Sequence, residues 1–277
     1  MHDAVIVGGG LFGQIIAAGL RSQGRDVLVL DRGEKEAGSR PAACLMKPSW
    51  FSGLGKDVFE PSLQLLDQLY GVRDLQFQLW PTRALATVHW CDPKMILAPE
   101  TRAENVVAVR PGQVETERGE IISARLVVVA AGVWVQELLA QYPQQAQKGA
   151  AYLWPDLPSG HNPNFISPWA PYRQLVGFDR GDGYWMGDGT AIKAANWTPD
   201  RETMTYQRCA SAIGRIGFLD LETGFARKMV GMRPYAKGHK PCLLEEVQPG
   251  LWVASGGAKN GTLAAGWAAH RIMEATQ

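Results

Sequence analysis

The chain lacks most of the features that would take it out of the ordinary globular class. None of its apolar runs approaches the roughly 20 residues that a membrane-spanning helix needs, so no membrane association is expected. It has only four cysteines, Cys44, Cys91, Cys209 and Cys242, far apart and without a CxxC pair. That spacing argues against a disulfide framework and against a zinc site, and predicts reduced thiols in a cytoplasmic protein. The five histidines show no metal-ligand spacing, so no metal is expected. Net charge is +1, so global charge favours no particular partner. There is no internal repeat and no low-complexity segment. The first apolar run is entered by Asp3, which leaves no room for a signal peptide. With 46% hydrophobic and 20% charged residues over 277 positions, the chain can bury one large core or two interleaved ones.

What is present is concentrated in the first 31 residues. The apolar run Ala4-Val5-Ile6-Val7 leads into Gly8-Gly9-Gly10-Leu11-Phe12-Gly13, then a helical pattern, then Val27-Leu28-Val29-Leu30 and Asp31. This reads as strand, glycine turn, helix and second strand ending in a carboxylate. Gly8 lets the chain turn off the strand, Gly10 lets a pyrophosphate approach the backbone, and Gly13 lets the helix pack closely on the sheet. The helix N-terminus offers free N–H groups to phosphates. Asp31 can accept hydrogen bonds from both ribose hydroxyls and would repel a 2′-phosphate, which disfavours NADP. The fingerprint alone does not separate FAD from NAD.

Further along, Leu63, Leu65, Leu66, Leu69 and Tyr70 have the spacing of one buried helix face over 60–70. Val106–Val109 and Val114–Thr116 read as a hairpin. Arg125–Ala130 reads as a fully buried strand, ending in Ala131-Gly132-Val133-Trp134 where a helix begins. From about 148 the character changes to short strand-like pieces punctuated by Pro, Gly and Trp. Pro199 starts a helix with Thr198 as its cap. Met229–Pro234 and Gly250–Ser255 return to strand patterns. The chain closes with Gly256-Gly257-Ala258-Lys259-Asn260-Gly261-Thr262-Leu263 and a helix over Ala264–Ala275. A second strand–Gly–Gly–helix unit suits a flavin, whose N1–O2 edge gains negative charge on reduction and is stabilised by a helix dipole.

With these stretches together, the chain resembles the D-amino-acid oxidase/glycine oxidase superfamily of FAD-dependent amine oxidases. The matching residues are Val5–Gly13; Gly38-Ser39; Val128-Val129-Ala130-Ala131-Gly132-Val133-Trp134; Gly231-Met232-Arg233-Pro234; Gly250–Gly257; and Lys259-Asn260-Gly261. The resemblance implies an α/β protein: a Rossmann-type FAD-binding domain (1–70, 95–147 and 230–277) with an interleaved, shortened α+β substrate domain (71–94 and 148–229) on a mixed β-sheet. It implies noncovalent FAD, since the covalent-flavin cysteine of the sarcosine-oxidase branch has no counterpart. Cofactor contacts are expected from Gly8, Gly10, Leu11, Phe12, Gly13, Asp31, Arg32, Ser39 and Val107. Others are expected from Ala131, Gly132, Gly257, Lys259, Asn260, Gly261 and Thr262.

The implied reaction is oxidation of the C–N bond of a glycine-like amino acid or N-substituted glycine. An imine forms and its cleavage releases glyoxylate or a keto acid. In the family the Gly-x-Arg-Pro arginine grips the substrate carboxylate, and Arg233 matches it; a guanidinium fork pairs with a carboxylate through two parallel bonds. Lys259 and Lys47 are expected near the flavin, and Tyr172, Tyr184 and Tyr235 are candidates for hydrogen-bonding the substrate. The chain is shorter than the family commonly is, between 70 and 95 and over 148–230, where substrate cover is built. An open site would suit a glycyl-modified nucleobase in DNA or RNA, leaving an aminomethyl base. Arg201, Arg208 and Arg215 recur every seven residues, and residues 201–240 carry eight Lys/Arg against three acids. That stripe, with Trp154, Trp169, Trp185 and Trp197 nearby, would suit nucleic-acid contact. The alternatives are a free amino-acid oxidase or dehydrogenase, a noncatalytic flavin-binding partner protein, and an NAD-dependent dehydrogenase.

Overall fold

Four successive buried apolar residues, Ala4 to Val7, have no polar face to show to water, so their strand has to be covered on both sides. The computed structural model describes residues 1–51, 55–155, 163–170, 173–216, 226–238 and 241–277. In it β1 (His2–Val7) lies between two parallel neighbours, β2 (Val27–Asp31) and β9 (Ile121–Val129). The register sets Val5 beside Leu28 and Val127, and Val7 beside Leu30 and Val129. Helix α1 (Leu11–Ser22) makes the crossover from β1 to β2. The sheet continues through β6 (Arg102–Ala103) on one side and through β17 (Leu251–Ser255) and β16 (Leu243–Gln248) on the other. Strands β7 (Val106–Arg110) and β8 (Gln113–Thr116) join β9 as an antiparallel meander, as the sequence predicts. Helix α6 (Gly261–Ala275) packs beside α1, where Ala269 and Met273 meet Gly19. Its small buried residues, Ala264, Ala265, Ala268 and Ala269, permit that close approach.

Among the described residues the second sheet has nine strands and mixed direction. It contains β3 (Leu45–Met46), β4 (Arg73–Leu79), β5 (Ala84–Trp90), β10 (Gln145–Trp154), β11 (Phe165–Ala170), β12 (Arg173–Asp179), β13 (Tyr184–Gly187), β14 (Ile192–Lys193) and β15 (Arg227–Tyr235). Alternation along the strands gives it two faces. Ala151, Leu153, Ile166, Phe178, Trp185 and Met229 pack on one, against Leu45 and Trp50. Tyr152, Trp154, Phe165, Leu175, Tyr184 and Met186 pack on the other, with Cys209 of α5 (Pro199–Ile216). The other α-helices among the described residues are α2 (Lys56–Tyr70), α3 (Pro93–Leu97) and α4 (Val135–Leu138).

Three boundaries differ from the sequence reading. Helix α2 begins at Lys56 instead of 60, since Pro61 is accommodated inside it. Helix α6 begins at Gly261 instead of Ala264, so the closing glycine turn is already helical. Strand β15 runs antiparallel to β10 from Arg227↔Leu153 to Tyr235↔Gln145, so the expected boundary at 230 cuts a strand of the second sheet. No helix among the described residues is long and apolar enough to cross a membrane.

Candidate dinucleotide and substrate site

The glycines of the β1–α1 turn have different reasons for being there. Gly8 holds φ +110°, and a Cβ on it would come within 2.5 Å of the Ala130 carbonyl oxygen. A Cβ on Gly13 would overlap the Gly8 carbonyl, so Gly13 sets how closely α1 sits on β1. A Cβ on Gly10 would meet only the Ser39 hydroxyl, at 2.7 Å. The space at Gly10 is therefore open to a ligand. Ser39 Oγ accepts the Leu11 amide at 2.9 Å, and Gly10 itself provides no side-chain cap, leaving the next amides of the first turn facing outward.

A cavity of about 640 Å³ opens from this turn and runs between the two sheets. Gly8, Gly10, Leu11, Phe12, Asp31, Arg32 and Ser39 line it from the first unit, with Ala131 and Gly132 at the end of β9. Asp31 accepts backbone N–H groups from Gly9 at 2.5 Å and Gly33 at 2.6 Å, which fixes the carboxylate at the cavity edge. Arg32 lines the cavity too, but Glu137 at 2.6 Å and Glu34 at 2.8 Å take its charge. Those bonds hold its pKa above the ordinary value, and it lies over the Trp134 ring. Asp31, Glu34, Glu104 and Glu137 make this end acidic, which disfavours an additional phosphate.

The other helix terminus converges on the same space. Gly257, Lys259, Asn260, Gly261 and Thr262 line the cavity. A Cβ on Gly257 would press on Gly261, Ala264 and the Phe12 ring, so the two helix starts adjoin. Asn260 makes no side-chain cap, leaving the first amides of α6 open. Ser255 Oγ donates to the Gly132 carbonyl at 3.0 Å and ties β17 to the turn after β9. The loop at 36–38 is bound to β15: Met232 N donates to Glu36 O at 2.8 Å, and Gly38 abuts the Met232 carbonyl.

That tie brings Arg233 to the cavity wall. Its guanidinium is half-buried and has no ion-pair partner among the described residues. Burial pulls its pKa down, and the negative charge of Asp188 pulls it back. Asp188 is fully buried behind the sheet, accepting from Thr190 N (2.8 Å), Thr205 Oγ1 (3.2 Å) and Arg208 Nη1 (2.8 Å). Trp50, Gln174, Val176, Trp185 and Cys44 finish this wall. Trp50 Nε1 donates to Gln174 Oε1 at 2.9 Å. Burial pushes the Cys44 thiol up to about 11.

Several sequence expectations need correction. Tyr184 faces away from the cavity, on the α5 side, where it is 2% exposed and donates to the Pro163 carbonyl at 2.7 Å. Lys47 lies outside the lining. Val107 is exposed, and Val106, one residue away in register, lines the cavity instead. Gly13 acts behind the cavity and not in it. Arg208 turns inward to Asp188, so the seven-residue spacing marks no continuous exposed arginine face; Arg201 is exposed. Trp154 and Trp185 are core residues. Tyr172 and the side chains of Arg215 and Trp169 lie outside the described residues. Trp50 and Gln174 were missed, because a Trp in a one-turn 3-10 helix and a Gln in a strand carry no spacing signal.

The residues present fit FAD: an open position at Gly10, two uncapped helix starts around one cavity, and a fixed carboxylate at the β2 end. A model of the FAD dependent oxidoreductase family matches residues 96–275, and one of an NAD(P)-binding Rossmann-like domain matches residues 6–40. No curated protein sequence matches the chain. Among solved structures, glycine oxidase from Bacillus cereus is similar with TM-score 0.71 and 16% identity, covering 100% of this chain and 96% of that one. Iminodiacetate oxidase from Chelativorans gives 0.68 and 17%, covering 96% and 93%. L-Proline dehydrogenase from P. horikoshii gives 0.69 and 16%, covering 99% and 94%. At such identities the likeness shows a shared fold.

Proposed function

The chain belongs to the FAD dependent oxidoreductase family, and from that premise we propose that it oxidises the carbon–nitrogen bond of a small glycine-like or N-substituted amino acid, with FAD held noncovalently. The observation that carries this reading is Arg233, a guanidinium in the cavity wall that no carboxylate among the described residues occupies. Gly10 and the first turn of α1 would hold the pyrophosphate, Asp31 the ribose, and the first turn of α6 the ring edge where negative charge gathers. When bound, FAD supplies the two-electron acceptor for the oxidation.

Arg233 binds the substrate carboxylate through two parallel bonds and so fixes which carbon faces inward. Trp50 and Trp185 exclude water from that position. The titratable lining groups on this side are Arg233, Lys259 and Cys44, and a thiol held near 11 takes no proton at neutral pH. An amine that arrives neutral needs no general base here. The resulting imine is hydrolysed to an amine and an oxo acid. Arg208 faces the interior, which favours a free small molecule over a nucleic-acid-borne substrate.

The experiment is to load the protein with FAD and mix it anaerobically with glycine, sarcosine, iminodiacetate and proline. Loss of flavin absorbance with release of glyoxylate or the matching oxo acid is expected. An FAD-loaded protein whose colour none of these amines discharges would overturn the reading, and uptake of NAD in place of FAD would favour a dehydrogenase of another class.

A further inference from the structure

We propose that Gln174 is a specificity-determining residue: a hydrogen-bond donor, pinned by Trp50, that selects amines whose second arm ends in a carboxylate or carbonyl. This deepens the amine-oxidising reading and rests on it. An indole N–H can only donate, so the Gln174 atom that meets Trp50 is its carbonyl oxygen. That bond settles which end of the carboxamide is which. The NH2 group has no partner among the described residues, although Gln174 is half-buried in the cavity wall. What remains of its hydrogen-bonding capacity toward the cavity is mainly that of a donor.

Strand alternation puts Gln174 on the same face as Val176 and Phe178. Arg233 lies on that face as well, following Met229 at even spacing. From β12 to β15 the sheet crosses the 187–190 segment and β10, three interstrand spacings, so the two backbone rows lie about 14 Å apart. The floor between them has no side chains at Gly149 and Gly189. A Cβ on Gly149 would stand 3.4 Å from Arg233 Nη2, and one on Gly189 would stand 3.3 Å from the main-chain carbonyl oxygen of Gln174 and 3.9 Å from Lys259 Nζ. Arg233 and Gln174 thus stand at opposite ends of a strip without side chains of its own, over which Lys259 Nζ reaches, and both line the cavity. A free glycine on Arg233 is too short to reach Gln174. An N-substituted glycine with an acceptor on its second arm reaches both. A substrate without that acceptor leaves the half-buried NH2 unpaired, and that penalty is what discriminates.

Sarcosine and iminodiacetate share one acetate arm and differ in whether the other ends in methyl or carboxylate. Binding of each to the FAD-loaded protein is measured by calorimetry and by flavin band shifts, for wild type, Gln174→Leu, Gln174→Glu and Trp50→Phe, with N-ethylglycine as a control for length. Iminodiacetate is expected to bind wild type on the order of tenfold or more tightly than sarcosine. Gln174→Leu should abolish that preference, weakening iminodiacetate and relieving sarcosine of the unpaired-NH2 penalty. Gln174→Glu should reverse it by like-charge repulsion, and Trp50→Phe should weaken iminodiacetate selectively by freeing the amide. Equal binding of the two amines to wild type, or an equal loss of both in Gln174→Leu, overturns the proposal while the oxidase reading stands. Failure of every amine to bind or bleach the loaded wild type overturns both.

Discussion

At the β1–α1 turn the wall facing the ligand is made of backbone and of missing side chains. Across the cavity, on the face of the second sheet, it is made of long side chains. In the first region a single added carbon meets atoms that cannot move: the Ala130 carbonyl at Gly8 and the Gly8 carbonyl at Gly13. In the second, Arg233 and Gln174 stand on either side of a strip of glycines, Gln174 held by the Trp50 indole and Arg233 in the field of the buried Asp188 carboxylate. The contrast teaches that the cofactor end tolerates almost no substitution, whereas the substrate end can be retuned one side chain at a time without disturbing the sheet.

The largest expected effect tests the first half of that contrast. Gly13→Ala should remove soluble folded protein, since α1 cannot leave β1 without opening the core between them. Gly10→Val should instead fold, displacing only the Ser39 hydroxyl, and should fail to take up FAD. Circular dichroism together with flavin content separates the two variants; a folded, yellow Gly13→Ala protein would erase the distinction between them.

The second half is tested by the two charged residues on either side of the second sheet. Asp188→Asn removes the carboxylate to which Arg208 Nη1 donates. Breaking a buried pair in this way costs about 3–5 kcal/mol, and the Arg208 side chain, 27% exposed, argues for the lower end. Chemical denaturation measures it. Arg233→Leu should cost folding little, because no ion pair among the described residues is lost. The expected loss lies in kcat/KM, by about 2–5 kcal/mol, on removing the partner of the substrate carboxylate. If Arg233→Leu unfolds the protein and leaves the kinetics of the surviving fraction unchanged, Arg233 belongs with the scaffold.

The same contrast explains what could be read without coordinates. The β1–α1–β2 unit was legible because each glycine answers to a local geometric demand and the carboxylate follows at a fixed distance. The closing glycine turn was legible for the same reason, although α6 starts at Gly261, three residues before the expected Ala264. Arg233 was legible as part of a four-residue pattern. The facing of the second sheet was not. Tyr184, Trp185, Met186 and Gly187 are all buried, so no polar alternation tells which side chain meets the cavity; Trp185 does and Tyr184 does not. Val106 and Val107 pose the same one-residue ambiguity in register. A seven-residue arginine spacing likewise describes an inward helix face as well as an outward one, and Arg208 turned out to face inward.

The smallest expected effect lies at Cys44, where the two regions meet. Its thiol lines the cavity beside Thr262 of α6, and burial raises its pKa from 9.0 to about 11. In the unfolded chain the thiol loses its proton around pH 9, while in the folded protein it keeps it to about pH 11. Between those values the folded state binds more protons, so stability falls as pH rises. The contribution is fully present below about pH 8 and is lost by about pH 11, amounting to at most about 2–3 kcal/mol. Denaturation of wild type and Cys44→Ala at stepped alkaline pH isolates it: the variant should show the shallower decline. Cys91, pushed up to about 12 by burial and then by the neighbouring Cys44, should add a later fall. Equal slopes for both proteins would mean that solvent reaches the Cys44 thiol, and that the seam between the two regions is wetter than its packing implies.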